Sequence, residues 1–312
     1  MKHIRYCIPA ILIVLIVGCN LGNDSTIYTY DKEAERVARC SRIDTAAIPS
    51  IINPDTIEGY EALGKLSAEA WLLVEDGSGW VISSKNADEP LYMASLTKMM
   101  TGLLAIEYGH ETDTLEITDD VFVTRRSKVK LGDAFQMGDL IREMMLTSDN
   151  DAAYALAKHV AGDTLSFYAL MNEKAQYLGM QGTHFASPNG MPNDSNYSTA
   201  ADLVRLTRYC LADSQFAEIV KTKEMDIPLT DGRHMPCRNT NALLHTYEGC
   251  IGVKTGYTRQ AGNCLASAAE RDSIRLCLVL LNSRSMSARF KESAMLLDYG
   301  FNVMKAYREK MQ

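Results

Sequence analysis

Apolar and polar positions make short runs near the start of the chain, helical periodicity through its middle, and short runs again near its end. Residues 66–76 and 80–84 are apolar runs separated by Gly77-Ser78-Gly79, which predicts two strands joined by a hairpin. Residues 87–90 then lead to Ser95. The run Met99-Met100-Thr101-Gly102-Leu103-Leu104-Ala105-Ile106 predicts a buried helix that begins near Ser95. Residues 115–121 read as a short extended piece, and 124–130 as a basic loop or strand. Residues 137–146 are helix-periodic, with Asp139 in the first turn. Thr147-Ser148-Asp149-Asn150 breaks that pattern. Further helices are predicted from Asp151 to the stop at Gly162, over 165–178 to Gly179, and over 200–211 and 214–221. Residues 184–198 are an irregular loop rich in Pro, Gly, Asn and Ser. Strands return at 250–254, 263–269 and 273–281, and a helix over 289–305 follows. This order predicts one α/β sandwich: an antiparallel sheet completed by the first and last segments, flanked by helices, with a mainly helical insertion.

The N-terminus changes the picture. Met1-Lys2-His3-Ile4-Arg5 is basic, residues 7–17 are apolar, and polar residues follow Gly18-Cys19. The apolar run is short for a membrane span and reads as an export signal. Leu15-Ile16-Val17-Gly18-Cys19 resembles a bacterial lipobox, in which Cys19 becomes the lipid-modified first residue. An ordinary cleaved signal and an uncleaved anchor are the alternative readings. The expected organisation is a signal over 1–18, a tether and N-terminal segment over 19–57 and a catalytic domain over 58–305. Within the segment, 20–29 reads as tether and 31–42 as a short helix. The mature chain is then expected in the cell envelope, facing the periplasm and lipid-anchored at its start.

Composition adds exclusions. The chain is 46% hydrophobic and 23% charged, with a formal net charge of -7 and a pI near 5.5. The basic footprint of a nucleic-acid binder is missing. The 8 Cys and 6 His show no metal-ligand spacing, so no metal and no cofactor is expected. Export permits disulfides. Cys237 and Cys250 flank a polar loop and are the candidate bridge, while Cys264 and Cys277 sit in apolar runs and read as buried thiols.

Three short motifs carry candidate chemistry. In Ser95-Leu96-Thr97-Lys98, Ser and Lys fall about one helical turn apart. At a helix start, unpaired N–H groups favour an oxyanion, and a neighbouring Lys can take the hydroxyl proton. A second Ser-x-x-Lys, Ser127 to Lys130, precedes Gly132 without a helix and reads as surface charge. Ser148-Asp149-Asn150 lies between two helices, where it could equally be a cap. Ser187-Pro188-Asn189 is a competing copy in the irregular loop. Lys254-Thr255-Gly256 ends a strand. A hydroxyl and an ammonium there suit a carboxylate, and an edge strand can pair with an extended peptide.

Together, and in this order, these motifs are the signature set of penicillin-binding proteins and class A β-lactamases. Their surroundings resemble the low-molecular-mass penicillin-binding proteins of the D-alanyl-D-alanine carboxypeptidase family. The stretches that carry the likeness are 90–101, 146–153, 185–191, 252–258 and 261–265, within a span from about Glu58 to Phe301. The resemblance implies a β-lactamase/transpeptidase-like fold. It implies a serine-type D-Ala-D-Ala carboxypeptidase that trims peptidoglycan stem peptides through an acyl-enzyme on Ser95, with β-lactams as covalent inhibitors. Lys98 would be the base and Ser148 the proton relay. Asn150 would hold the substrate amide and support Lys98. Lys254, Thr255, Gly256 and Arg289 would form the carboxylate end of the site, and the N–H groups of Ser95 and Tyr257 the oxyanion hole. Asn189 would border the site. Many family members carry an additional all-β domain and a C-terminal amphipathic helix. The chain stops soon after Gly300-Phe301, so a lipid on Cys19 is expected to take over anchoring. A DD-endopeptidase and a serine β-lactamase use the same residues. The class A deacylating Glu has no counterpart over 182–189, which argues against fast β-lactam turnover. A non-catalytic wall-binding lipoprotein has no need for the full residue set.

Overall fold

Alternation along one strand decides how the molecule is layered. In β1 (Ala70–Glu75), Leu72 and Val74 join one buried cluster, and Trp71 and Leu73 join another. Both faces of the strand are therefore core, which is why the sequence reads as a nearly unbroken apolar run.

The computed structural model describes residues 25–44, 52–124 and 127–312. The chain divides into two units, 1–35 and 36–312. In the first, residues 25–35 are helical, within α1 (Ser25–Ser41). Helix thus begins inside the stretch read as tether. The expected signal over 1–18 and the lipidation site Cys19 lie outside the described residues.

The second unit holds the sheet. A one-turn α2 (Tyr60–Leu63) precedes β1, and β2 (Val81–Lys85) completes the predicted hairpin. A 3-10 turn over Ala94–Thr97 runs into α3 (Lys98–Tyr108). The helical insertion begins with a two-stranded ribbon, β3 (Thr114–Glu116) and β4 (Ala134–Gln136). It continues with α4 (Met137–Thr147), α5 (Asn150–Ala161), α6 (Thr164–Tyr177), α7 (Ala200–Leu211) and α8 (Ser214–Lys221). A hairpin that the apolar pattern did not predict follows, β5 (Glu224–Pro228) and β6 (His234–Arg238). Then come α9 (Leu243–Thr246), β7 (Cys250–Thr258), β8 (Gly262–Arg271), β9 (Ile274–Ser283) and α10 (Met286–Met311).

The five-stranded sheet has the order β2-β1-β9-β8-β7, antiparallel throughout. The first and last segments do complete one sheet, with β7 at its edge. Leu276, Leu278 and Leu280 of β9 pack on the side of α10, with Leu296, Leu297 and Tyr299. Cys277, Val279 and Leu281 pack on the other side, with the helical insertion.

The expected Cys237–Cys250 bridge is not formed. Cys40, Cys210, Cys237, Cys250, Cys264 and Cys277 are all free thiols. The two flank the 239–249 segment as expected, but Cys237 is buried on β6 and Cys250 opens β7, with its Sγ near Gly252 O. Cys264 and Cys277 are buried, as their apolar runs implied. No helix among the described residues is long and apolar enough to cross a membrane.

Candidate active site

The nucleophile candidate sits on a strained turn. Ser95 lies in the 3-10 turn, and α3 starts only at Lys98, so the predicted helix begins about one turn later than its sequence suggests. Ala94 has φ +48°, a left-handed conformation costly for a side-chain-bearing residue. Two glycines hold this turn from either side. At Gly190, φ is +79° and an added Cβ would lie 1.9 Å from Ala94 O. At Gly256, an added Cβ would lie 2.9 Å from Met93 O and 3.2 Å from Ser95 N. The Gly of Lys-Thr-Gly is therefore required by close backbone approach to the Ser95 turn.

Lys98 is fully buried at the start of α3. Its Nζ lies 3.1 Å from Ser95 Oγ, 2.8 Å from Asn150 Oδ1 and 2.7 Å from Asn189 O. An ammonium donates to all three. A neutral amine has two N–H groups for Asn150 and Asn189 and turns its lone pair to the Ser95 hydroxyl. Burial lowers the Lys98 pKa to about 7, against the pull of Asp149 and Glu143. Near neutral pH the free base is thus substantially populated.

Ser148 and Asn150 come from the break between α4 and α5. Ser148 ends α4 with φ +67°. Asp149 caps α5, accepting from Asp151 N at 2.9 Å and Ala152 N at 3.1 Å. The capping explanation therefore holds for Asp149, while Ser148 and Asn150 on either side face the cleft. The basic segment before Gly132 turns out to brace this corner. Lys128 N donates to Asp149 Oδ2 at 2.8 Å, and Thr124 N to Asp151 Oδ1 at 2.8 Å. Lys128 Nζ reaches Pro236 O at 2.8 Å, while Lys130, the lysine of the second Ser-x-x-Lys, is exposed, as a surface charge should be.

The third wall is edge strand β7. Ser95, Ser148, Asn150, Gly190, Met191, Thr240, Thr255, Gly256, Tyr257, Thr258, Met286 and Arg289 enclose a cleft of about 390 Å³. Tyr257 is 61% exposed at its rim. Arg289, near the start of α10, is buried, and its Nη1 donates to Gly256 O at 2.9 Å. Lys254 does not line the cleft. It is buried beneath, with Nζ 3.2 Å from Thr255 O, and burial together with Lys98 and Arg289 pushes its pKa well down. The sequence-predicted residues Ser95, Ser148, Asn150, Thr255, Gly256, Tyr257 and Arg289 thus share one cleft, with Lys98 and Lys254 under its floor.

Several residues of the site were not foreseen. Thr240 meets Thr255, Oγ1 to Oγ1, at 2.7 Å, and it follows the hairpin that the apolar pattern missed. Met191 and Met286 give the cleft an apolar edge. Asn189 contributes its carbonyl rather than its side chain. Glu143 is a fully buried carboxyl on α4. Its signal was an acid set between Leu140 and Met144 on the apolar face of that helix. No group of His, Cys, Asp or Glu among the described residues is arranged to hold a metal.

Residues 57–285 match the family model described as D-alanyl-D-alanine carboxypeptidase, peptidase S11. D-alanyl-D-alanine carboxypeptidase DacC of Escherichia coli strain K12 is 35% identical over 251 residues, covering 76% of this chain and 62% of that protein. DacF of Bacillus subtilis strain 168 is 28% identical over 243 residues, covering 75% and 62%. The chain therefore spans about 62% of the length of these two curated relatives. The crystal structure of the Streptomyces K15 DD-transpeptidase superposes with a TM-score of 0.71 at 32% identity, covering 76% of this chain and 97% of that one. The fold is accordingly the penicillin-binding protein fold that the motifs implied, and the chain belongs to the D-alanyl-D-alanine carboxypeptidase family, peptidase S11.

Proposed function

We propose that this chain is a serine-type D-Ala-D-Ala carboxypeptidase that removes the terminal D-Ala from peptidoglycan stem peptides. The observation that carries the reading is the buried Lys98 amine, 3.1 Å from Ser95 Oγ and held by Asn150 and the Asn189 carbonyl. With two N–H groups so engaged, its lone pair can take the Ser95 proton as Oγ bonds to the carbonyl carbon of the penultimate D-Ala. The developing oxyanion would meet the N–H groups of Ser95 and Tyr257. Such a donor is typically worth about 2.7–4 kcal/mol. Ser148 would pass the proton from Lys98 to the departing D-Ala nitrogen as the peptide C–N bond breaks. Water then hydrolyses the ester and returns the Ser95 hydroxyl. Thr255 and Arg289, with the buried Lys254 behind them, give the far end of the cleft the positive potential that a terminal carboxylate requires. β-Lactams, which present a carboxylate and a reactive amide in the same relation, would acylate Ser95.

The same reading places the chain in the periplasm. Residues 1–18 would serve as signal peptide, and Cys19 would carry the lipid that holds the chain to the membrane. Mass spectrometry of the mature N-terminus tests this: a diacylglyceryl Cys19 is expected, and an unmodified N-terminus would remove the anchor.

The test of activity is D-Ala release from a peptide ending in D-Ala-D-Ala. Ser95→Ala is expected to lower release by on the order of 10⁴-fold or more and to abolish covalent labelling by penicillin. A Ser95→Ala protein that still becomes labelled would falsify the nucleophile assignment.

A further inference from the structure

Glu143 stands on the helix that ends at Ser148, and none of it is exposed. Thr147 Oγ1 donates to its Oε1 at 2.5 Å, while Oε2 has no hydrogen-bond partner. Its one side-chain hydrogen-bond partner among the described residues is a hydroxyl rather than a cation, an expensive setting for a carboxylate. Helix α4 packs on α3, whose first residue is Lys98, and on α5, capped by Asp149. Asp149, Lys128 and Lys98 are the charges that act on Glu143. Glu143 in turn acts on Lys98, Lys254 and the Cys237 thiol of β6. Asp151 of α5 is turned to Val123 and Thr124. Glu107 of α3 pairs with Lys174. The charged residues of α8, β3, β5 and β6 that pack on α4 are exposed, where water screens them.

We propose that Glu143 is a positioning residue for the Ser95 reaction: from a buried place beneath the cleft, its carboxyl sets how readily Lys98 gives up its proton. The inference rests on the reading of Lys98 as the base for Ser95. Burial holds Glu143 up at about 8 and Lys98 down at about 7. Through neutral pH the carboxyl keeps its proton while the amine loses one. Once the carboxyl ionises, its charge favours an ammonium on Lys98. The loss of the Lys98 proton is therefore coupled to that of Glu143 and spread over a wider pH range than a lone amine would show.

Glu143→Gln keeps the shape and removes the second titration. The test is the pH profile of Ser95 acylation by a fluorescent penicillin, in the full chain with and without the substitution. In Glu143→Gln the rising limb moves to lower pH and steepens. A displacement of about 0.3 pH, twofold in rate on the limb, is the expected minimum. Uniform slowing with the limb in place would make Glu143 merely structural and overturn the proposal. Thermal unfolding supplies a readout free of chemistry. The unmodified chain loses stability as pH rises from the ordinary carboxyl range toward 8, because unfolding lets Glu143 ionise, and Glu143→Gln loses less. Parallel curves would also overturn it. If penicillin acylates the chain but no D-Ala is released, the carboxypeptidase reading fails and the acylation limb still judges Glu143. If neither chain is acylated, Lys98 does not serve Ser95 and both readings fall.

Discussion

At the scale of single residues, the site is a problem of placing cations without water. Lys98, Lys254 and Arg289 are all buried. The Lys98 ammonium and Arg289 lower the pKa of Lys254, and burial lowers both lysines. For Lys98 the sign is clear. Its folded pKa lies below its unfolded one, so its contribution to stability is present above the unfolded value and is lost as pH falls toward 7. A carboxylate arriving in the cleft relieves this repulsion, so part of its binding should be electrostatic and should fail without the charge. Lys254→Ala tests that argument. Its kcat/KM for a peptide with a free C-terminal carboxylate should drop by about tenfold or more, the loss of about 1.4 kcal/mol or more, while a peptide ending in a C-terminal amide changes little. Equal losses on both peptides would show that Lys254 serves Lys98 and not the carboxylate. The three motifs made these residues legible because each packs its chemistry into a few consecutive positions. Glu143 escaped because its meaning depends on α3 and β7, which are distant in sequence.

At the scale of elements, caps and close approaches hold the motifs together. Asp149 binds three N–H groups, those of Lys128, Asp151 and Ala152, and so fixes the corner that carries Ser148 and Asn150. Asp149→Ala should cost about 1–2 kcal/mol and also slow acylation of Ser95. Asp163 caps α6 in the same way, accepting from Ser166 N at 2.9 Å. Because it lies outside the cleft, Asp163→Ala should cost a similar amount and leave acylation unchanged. Denaturant midpoints and penicillin labelling rates together check the pair. If both variants lose rate alike, the cap acts through general loosening. Elements were legible where both faces are buried, as in β8 and β9, or where periodicity and stop signals agree, as in α7 and α8. The hairpin β5–β6 was not, because among its strand residues Ile227 and Cys237 alone are fully buried and Pro228 and Pro236 interrupt it. The start of α3 was misplaced because the 3-10 turn at Ser95 depends on Gly190 and Gly256 pressing on it from elsewhere in the chain.

At the scale of the whole molecule, the segment before the sheet and the turn after β1 must be tied to the helical insertion, and Arg208 does much of this. It is wholly buried on α7, yet its guanidinium reaches two separate stretches. Nε donates to Asp76 Oδ1 at 3.0 Å and Nη2 to Asp76 O at 2.5 Å, at the turn after β1. Nη1 donates to Cys40 O at 3.1 Å and Arg42 O at 2.5 Å, in the segment before the sheet. Gly79 shares this junction, since an added Cβ there would lie 2.4 Å from Arg42 O. The planar, five-donor guanidinium suits the place, and no other side chain could serve all four acceptors. Arg208→Met keeps the apolar stem but strands Asp76, whose remaining ion pair among the described residues is Arg275 at 3.8 Å. Removing one partner of a buried pair costs about 3–5 kcal/mol, so the urea midpoint should fall steeply. Adding Asp76→Leu should recover part of the loss, because the stranded charge leaves with it. Ser95 acylation at low temperature should persist in both variants, since neither Arg208 nor its partners line the cleft. An unchanged midpoint in Arg208→Met would mean that the sheet and the insertion hold together through their shared apolar core alone.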